Sequence, residues 1–256
     1  MRDLAHVPDF IIGGSPRSGT TWLAQNLAQH AQIWMLKPLI PEPKIFILGG
    51  EVGEIAWKSR LENAFSQAPI NCLAGEKTSN YLESREAPRR ICTILPTVKL
   101  FFILREPVSR AWSNFLWSRQ NGLEQVDFET ACEIEFNRPD PMPPEKSHAR
   151  PYDYQRRGQY GTLLENWLAY FPRKQICLLR YEDIRQSPQA LLNQATRFLE
   201  LPPATPDTQQ NEIVNPTSEQ SMQLCENLKM KLKSRFIPEM LKLQDLMGFD
   251  ITPWGY

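Results

Sequence analysis

The chain has 256 residues, 41% hydrophobic and 23% charged, with 29 Lys plus Arg against 29 Asp plus Glu. That is enough chain to bury one substantial core, and zero formal charge provides no global field for nucleic acid or an anionic membrane. The longest clearly apolar runs, such as 100–104, hold about five residues against the roughly 20 that a spanning helix needs, and a strand-like segment within the first ten residues leads us to expect no secretory leader.

Pro8–Ile12 is short, apolar and β-rich, Gly13–Gly19 is turn material, and Thr20–His30 has apolar residues at helical spacing. A proline-broken stretch follows over Lys37–Lys44, then a helix around Glu54–Ser66 and a short strand over Ile70–Gly75. Val98–Leu104 (VKLFFIL) is apolar on both faces, as a strand buried in a parallel sheet should be. Pro107 opens a helix to about Arg119. Gln159–Tyr170 predicts another helix, Gln175–Arg180 a strand and Pro188–Leu199 a further helix. Asn137–Arg150, with Pro139, Pro141, Pro143 and Pro144, reads as a surface loop or lid. From Asn211 the chain reads as a loop followed by helices, with an amphipathic run over Ile237–Leu246. Strands alternating with helices predict an α/β fold of three layers around a central parallel sheet, as one domain over 1–256.

Five cysteines at 72, 92, 132, 177 and 225 show neither CxxC pairs nor a disulfide framework, which favours a reducing cytoplasm. Three scattered histidines make a zinc site improbable.

Two segments carry chemistry. In Gly14-Ser-Pro-Arg17-Ser18-Gly19-Thr20-Thr21, a loop between strand and helix presents backbone N–H groups and a helix N-terminus to an anion. The spacing is that of a nucleotide-triphosphate loop, but Thr20 stands where its lysine belongs, and the cation is Arg17. No apolar strand ends in a metal-holding aspartate, so a kinase is disfavoured. The second segment, Arg105 to Ser113, follows the buried strand at its carboxyl end, where parallel sheets bind ligands. Two anion-binding features roughly ninety residues apart suggest one ligand with two anionic groups; an ordinary salt bridge of Arg105 or Arg110 with Glu106 is the plainer alternative.

SPRSGTTWL and FFILREPVSRAWSNF resemble the two nucleotide-binding segments of sulfotransferases that use 3′-phosphoadenosine 5′-phosphosulfate (PAPS), most nearly the heparan-sulfate-like and bacterial carbohydrate-type branch. The likeness continues through GEKTSNYL (Gly75–Leu82), Arg157–Ile184 and Phe236–Trp254. It implies that Arg17, Ser18, Gly19, Thr20 and Thr21 hold the 5′-phosphosulfate, that Trp22 lies near the adenine, and that Arg105 and Ser113 bind the 3′-phosphate. By the same resemblance Glu42 is the general base that takes the acceptor's proton, with Glu76 as the second candidate, and Lys77 adds positive charge at the transferring group. No metal is implied, and the product is 3′-phosphoadenosine 5′-phosphate (PAP). The acceptor is a hydroxyl or amine of a carbohydrate, lipid or small molecule.

Other residues read as structural. Glu182 and Asp183 are paired carboxylates past a strand, with Tyr181 a weak adenine contact, and Trp167, Tyr170 and Phe171 are core packing. Arg150, Arg156 and Arg157 suit an anionic substrate or form a solvated face. The family's basic closing loop corresponds to Asn211–Gln220, which has no basic residue; Lys229, Lys231, Lys233 and Arg235 follow it. That departure keeps a catalytically silent nucleotide-binding protein in play as an alternative.

Overall fold

The structure is a computed structural model that describes residues 7–47, 53–139, 142–143, 148–204 and 225–256. In chain order the elements are β1 (Phe10–Gly14), α1 (Thr20–Leu27), β2 (Ile33–Met35), α2 (Glu54–Phe65), β3 (Leu73–Lys77), α3 (Ala87–Ile94) and β4 (Lys99–Leu104). Then follow α4 (Pro107–Gln120), α5 (Phe128–Ile134), α6 (Tyr160–Leu168), β5 (Ile176–Arg180), α7 (Asp183–Gln186), α8 (Pro188–Phe198) and α9 (Glu226–Met247). The chain groups into two compact units, 1–104 with 166–214, and 105–165 with 215–256.

The first unit is an α/β sheet of five strands in the order β2-β3-β1-β4-β5, every neighbouring pair parallel. Parallel strands are buried on both faces, which is why β1 and β4 are apolar without alternation. On one face Phe10, Ile12, Phe101, Ile103, Cys177 and Leu179 pack against Trp22, Leu23 and Leu27 of α1 and Leu191, Leu192 and Ala195 of α8. On the other, Phe102 meets Trp167 edge to face at 4.9 Å between ring centroids. These helices on the two faces make the expected three layers. Pairing places Ile12 opposite Lys77, so the segment leaving β1 and the end of β3 emerge side by side.

The second unit is helical. Glu106 caps α4 by accepting from the backbone N–H groups of Val108 (3.1 Å) and Ser109 (2.7 Å), and the Tyr256 hydroxyl donates to it at 2.9 Å. A single stripe of α9 is buried, comprising Leu232, Phe236, Met240, Leu243 and Met247. The amphipathic run expected over Ile237–Leu246 is the second half of this one 22-residue helix. Pro238 hid its extent, because proline in a helix interior ordinarily marks a boundary. The sequence pattern also missed β2, α3 and α5, each too short or too charged to show a clear period. The proline-rich loop expected over Asn137–Arg150 is described only in part, and Asn211–Gln220 lies outside the described residues. No helix among the described residues is long and apolar enough to cross a membrane.

Pro238 is exposed and leaves the Ser234 carbonyl without its helical donor. Replacing it with alanine should stabilise the protein by about 1–3 kcal/mol. Paired denaturant unfolding of wild type and Pro238→Ala checks this, and a destabilised variant would show that packing around Pro238 outweighs the lost hydrogen bond.

Candidate active site

The loop after β1 is built on two glycines. Gly14 has φ 152° and Gly19 φ 82°, conformations that a side chain disfavours. A Cβ on Gly19 would also lie 2.3 Å from Ile184 Cδ1, so the entry to α1 packs directly against α7. Arg17, between them, holds φ 69°, a left-handed conformation that costs a non-glycine residue about 1–2 kcal/mol. Such strain concentrates at functional loops.

The first intrahelical bond of α1 runs from Leu23 N to Gly19 O at 3.1 Å. The N–H groups of Thr20, Thr21 and Trp22 therefore precede any intrahelical acceptor. No side chain caps this end, and its first turn carries no acidic residue. The positive end of the helix is thus matched to an anion.

Ser18 contributes differently from expectation. It is fully buried, with its hydroxyl 2.7 Å from that of Ser15, which itself reaches Ile103 O at 3.3 Å. These hydroxyls hold the loop on β4, and what Ser18 can offer an anion is its backbone N–H. Trp22, expected near an adenine, is 2% exposed and packed in the core with Leu23, Phe10 and Phe101. The indole belongs to the sheet–helix interface.

Lys77, at the end of β3, joins the loop to the predicted base. Its ammonium donates to Thr21 Oγ1 at 3.0 Å and pairs with Glu42 Oε1 at 2.9 Å. Ser79 donates to the same carboxylate through its backbone N–H (3.1 Å) and its hydroxyl (2.9 Å). Thr21, Lys77 and Glu42, separated by up to 56 positions in the chain, are therefore one connected group. Sequence reasoning missed Ser79, although it lies within the GEKTSNYL segment, because the identity of its partner depends on the fold.

Glu76, one residue before Lys77, has a different environment. It is wholly buried; its Oε1 accepts from Thr78 Oγ1 (2.6 Å) and the Tyr81 hydroxyl (2.7 Å), and Oε2 has no partner among the described residues. Burial pushes its carboxyl up to about 7, the two hydroxyls offset part of that rise, and the charge of Glu42 adds to it.

The second unit holds Arg105 and Ser113. Arg105 is partly exposed just beyond β4, and its carbonyl accepts from the Tyr160 hydroxyl at 2.9 Å. Ser113 lies two turns into α4 and is 4% exposed. Arg110 is fully buried and donates to the Tyr154 carbonyl, so it is a structural cation. Arg157 is likewise buried, donating to Asn114 Oδ1 at 2.8 Å and Ala149 O at 2.9 Å, whereas Arg150 and Arg156 face Asp153 with exposed side chains. Lys231 pairs with Glu129 and Glu133, Lys233 donates to the Trp254 carbonyl, and Arg235 donates to Gln155 Oε1 at 2.9 Å. In the first unit Trp167 and Phe171 are core, as expected, while Tyr170 is 39% exposed.

Residues 7–242 match the family model described as the sulfotransferase domain. Curated relatives include bifunctional heparan sulfate N-deacetylase/N-sulfotransferase 4 of Mus musculus, 29% identical over 77% of this chain and 23% of the relative. Bifunctional heparan sulfate N-deacetylase/N-sulfotransferase 3 of Homo sapiens is 26% identical over 75% of this chain and 22% of the relative. The chain thus spans less than a quarter of the length of these relatives. Among solved structures, a sulfotransferase from Alicyclobacillus acidocaldarius shares the fold with a TM-score of 0.72 at 22% identity, covering 97% of this chain and 99% of that one.

The folded chain retains a proton on Glu76 that the unfolded chain releases above the ordinary carboxyl value of 4.5. Its contribution to stability is therefore complete below about pH 4.5 and is lost as pH rises through about 7. Glu135 in the second unit, also pushed up to about 7 by burial, acts in the same direction. Unfolding free energies of wild type and Glu76→Gln should diverge across this window, wild type falling more steeply with rising pH. Parallel curves would mean that Glu76 titrates as an ordinary carboxylate.

Proposed function

The chain belongs to the sulfotransferase domain family, whose model covers residues 7–242, and from that premise we propose how its residues move a sulfonyl group from PAPS to a hydroxyl or amine. The observation that carries the reading is the Lys77 ammonium, bonded at once to Thr21 of the anion loop and to the Glu42 carboxylate. An acceptor proton and a departing phosphate are handled a few ångströms apart in such a transfer, and this lysine spans that interval.

PAPS supplies the activated sulfonyl group. The N–H groups of Ser18, Gly19, Thr20 and Thr21 hold its 5′-phosphosulfate. The unneutralised N-terminus of α1 supports this assignment. Arg17 offsets charge on the departing phosphate and gives up no proton, because a guanidinium stays charged. Lys77 stabilises negative charge developing at the transferring group. Glu42 takes the acceptor's proton; its bonded neighbours among the described residues, Lys77 and Ser79, are donors that orient a carboxylate. Arg105 and Ser113 are assigned the 3′-phosphate on the strength of the family resemblance, and the sulfotransferase domain that does this is taken as the whole of 1–256.

The acceptor is proposed to be a saccharide hydroxyl or amine. Support comes from curated relatives named for N-sulfonation of heparan sulfate, which align with about three quarters of this chain. The five unbridged cysteines support the cytoplasm as the compartment. A kinase is not favoured, since Thr20 still stands at the lysine position of a triphosphate loop.

Calorimetric titration with PAP, AMP and Mg·ATP tests the donor: PAP should bind by far the tightest and without magnesium. Arg17→Ala and Arg105→Ala should each weaken PAP binding about tenfold or more, the value of a lost charge-assisted contact. Undiminished affinity in folded Arg105→Ala would remove the 3′-phosphate assignment. Glu42→Gln should bind PAP normally and lose turnover by about 100-fold or more.

A further inference from the structure

Residues Glu42, Lys44 and Phe46 are each tied to the turn that follows β3. Glu42 receives Ser79, as described. The Lys44 backbone N–H donates to Thr78 Oγ1 at 3.1 Å, and that of Phe46 donates to the Tyr81 hydroxyl at 3.3 Å. Alternate residues of the base-bearing segment are therefore stitched to consecutive parts of one turn.

Two of these three stitches depend on Glu76. A hydroxyl has one proton to give, and both Thr78 and Tyr81 give theirs to Glu76 Oε1. Burial and the adjacent acid push the Tyr81 phenol well above its ordinary value, so it is a donor throughout the physiological range. With their protons committed inward, both hydroxyl oxygens turn lone pairs towards the Lys44 and Phe46 N–H groups. Reversing either hydroxyl would set a proton against an N–H donor and take from Glu76 one of its two hydrogen bonds in a dry site. The acceptor atom at Glu76 thus sets the polarity of the whole relay.

We propose that Glu76 is a positioning residue for Glu42, orienting the Thr78 and Tyr81 hydroxyls so that they fix the segment carrying the catalytic carboxylate against Lys77. Glu76 is wholly buried and its bonded oxygen is committed to these hydroxyls, so it acts through the segment and not on the acceptor. The inference rests on the reading of Glu42 as the base.

The test compares wild type, Glu76→Gln, Glu76→Met and Glu42→Gln by three measurements: conversion of PAPS to PAP with a saccharide acceptor or water, PAP affinity, and hydrogen exchange at the Lys44 and Phe46 amides. Gln keeps an acceptor oxygen where the two hydroxyls need it, whereas Met keeps the volume without one. Glu76→Gln should therefore turn over within about threefold of wild type, and Glu76→Met should lose about tenfold or more in kcat with PAP affinity within about threefold. In Glu76→Met the two amides should exchange about tenfold faster or more, while the amides of β1 and β4 stay protected. If Glu76→Met does not fold, Thr78→Val combined with Tyr81→Phe should give the same pattern. Wild-type kcat with protected amides in Glu76→Met, or in that double variant, overturns the proposal. So does a Glu76→Gln protein that binds PAP but is as inactive as Glu42→Gln, because the ionisable carboxyl of Glu76, and not an acceptor oxygen for the two hydroxyls, would then be what turnover needs. An active Glu42→Gln enzyme removes the base assignment alone, and exchange at the two amides still decides whether Glu76 positions the segment.

Discussion

A buried ammonium sets the terms for the whole active end of the sheet. Lys77 is only 3% exposed, and removing such a charge from water costs several kcal/mol unless it is paired and hydrogen-bonded. Its pairing draws on two distant pieces of chain, Glu42 and Thr21. Those pieces meet because β3 lies beside β1 and the register sets Lys77 opposite Ile12, two residues short of the glycine loop. The parallel sheet is thus the device that makes the buried cation tolerable, and that cation in turn fixes where the loop and the carboxylate stand.

The carboxylate comes from a segment with no regular structure, so its placement has to be enforced by contacts. Beyond the bonds to Ser79, Thr78 and Tyr81, the Phe46 carbonyl accepts from the buried Arg90 at 3.0 Å. Arg90 also lies over the Trp57 ring at 5.4 Å, and Phe46 packs against both Trp57 and Tyr81. Phe46 is therefore an anchor on both its backbone and its side chain, four residues from the proposed base. Precision of this kind is what general-base catalysis demands of a loop residue.

What the sequence disclosed and what it hid follow from the range of the forces involved. The glycine loop, β1 and β4 were legible because strand, turn and helix signals are local, and because a strand buried on both faces needs an unbroken apolar run. Glu42 and Lys77 were reached only through resemblance, since an ion pair across 35 positions leaves no periodic trace. Ser18 and Trp22 show the limit of motif matching. The motif implies contact with a ligand, yet the fold uses the Ser18 hydroxyl to pin the loop to β4 and the Trp22 ring to fill the core. In the second unit, one cation of the cluster that suggested a basic surface, Arg157, was claimed by an amide and a carbonyl oxygen, and Arg110, read as a salt-bridge partner of Glu106, donates to the Tyr154 carbonyl. Residue type announces a charge, but only packing decides whether water or the protein receives it.

The two neighbouring carboxyls complete the electrostatics of the loop. A chain with no net charge has to build any attraction for a phosphosulfate locally. Arg17 and Lys77 supply two positive charges and α1 contributes the partial charge of its N-terminus. Were Glu42 and Glu76 both ionised, they would cancel both cations and leave only the helix end. Burial prevents this by holding the Glu76 carboxyl up to about 7, so that over most of the acid side of neutrality it is uncharged. Environment thus separates two glutamates into one paired with an ammonium and one held by hydroxyls, whose proton burial retains on the acid side of neutrality. The neutral one still accepts both hydroxyl hydrogen bonds at Oε1 while subtracting little from the field that an anion would meet.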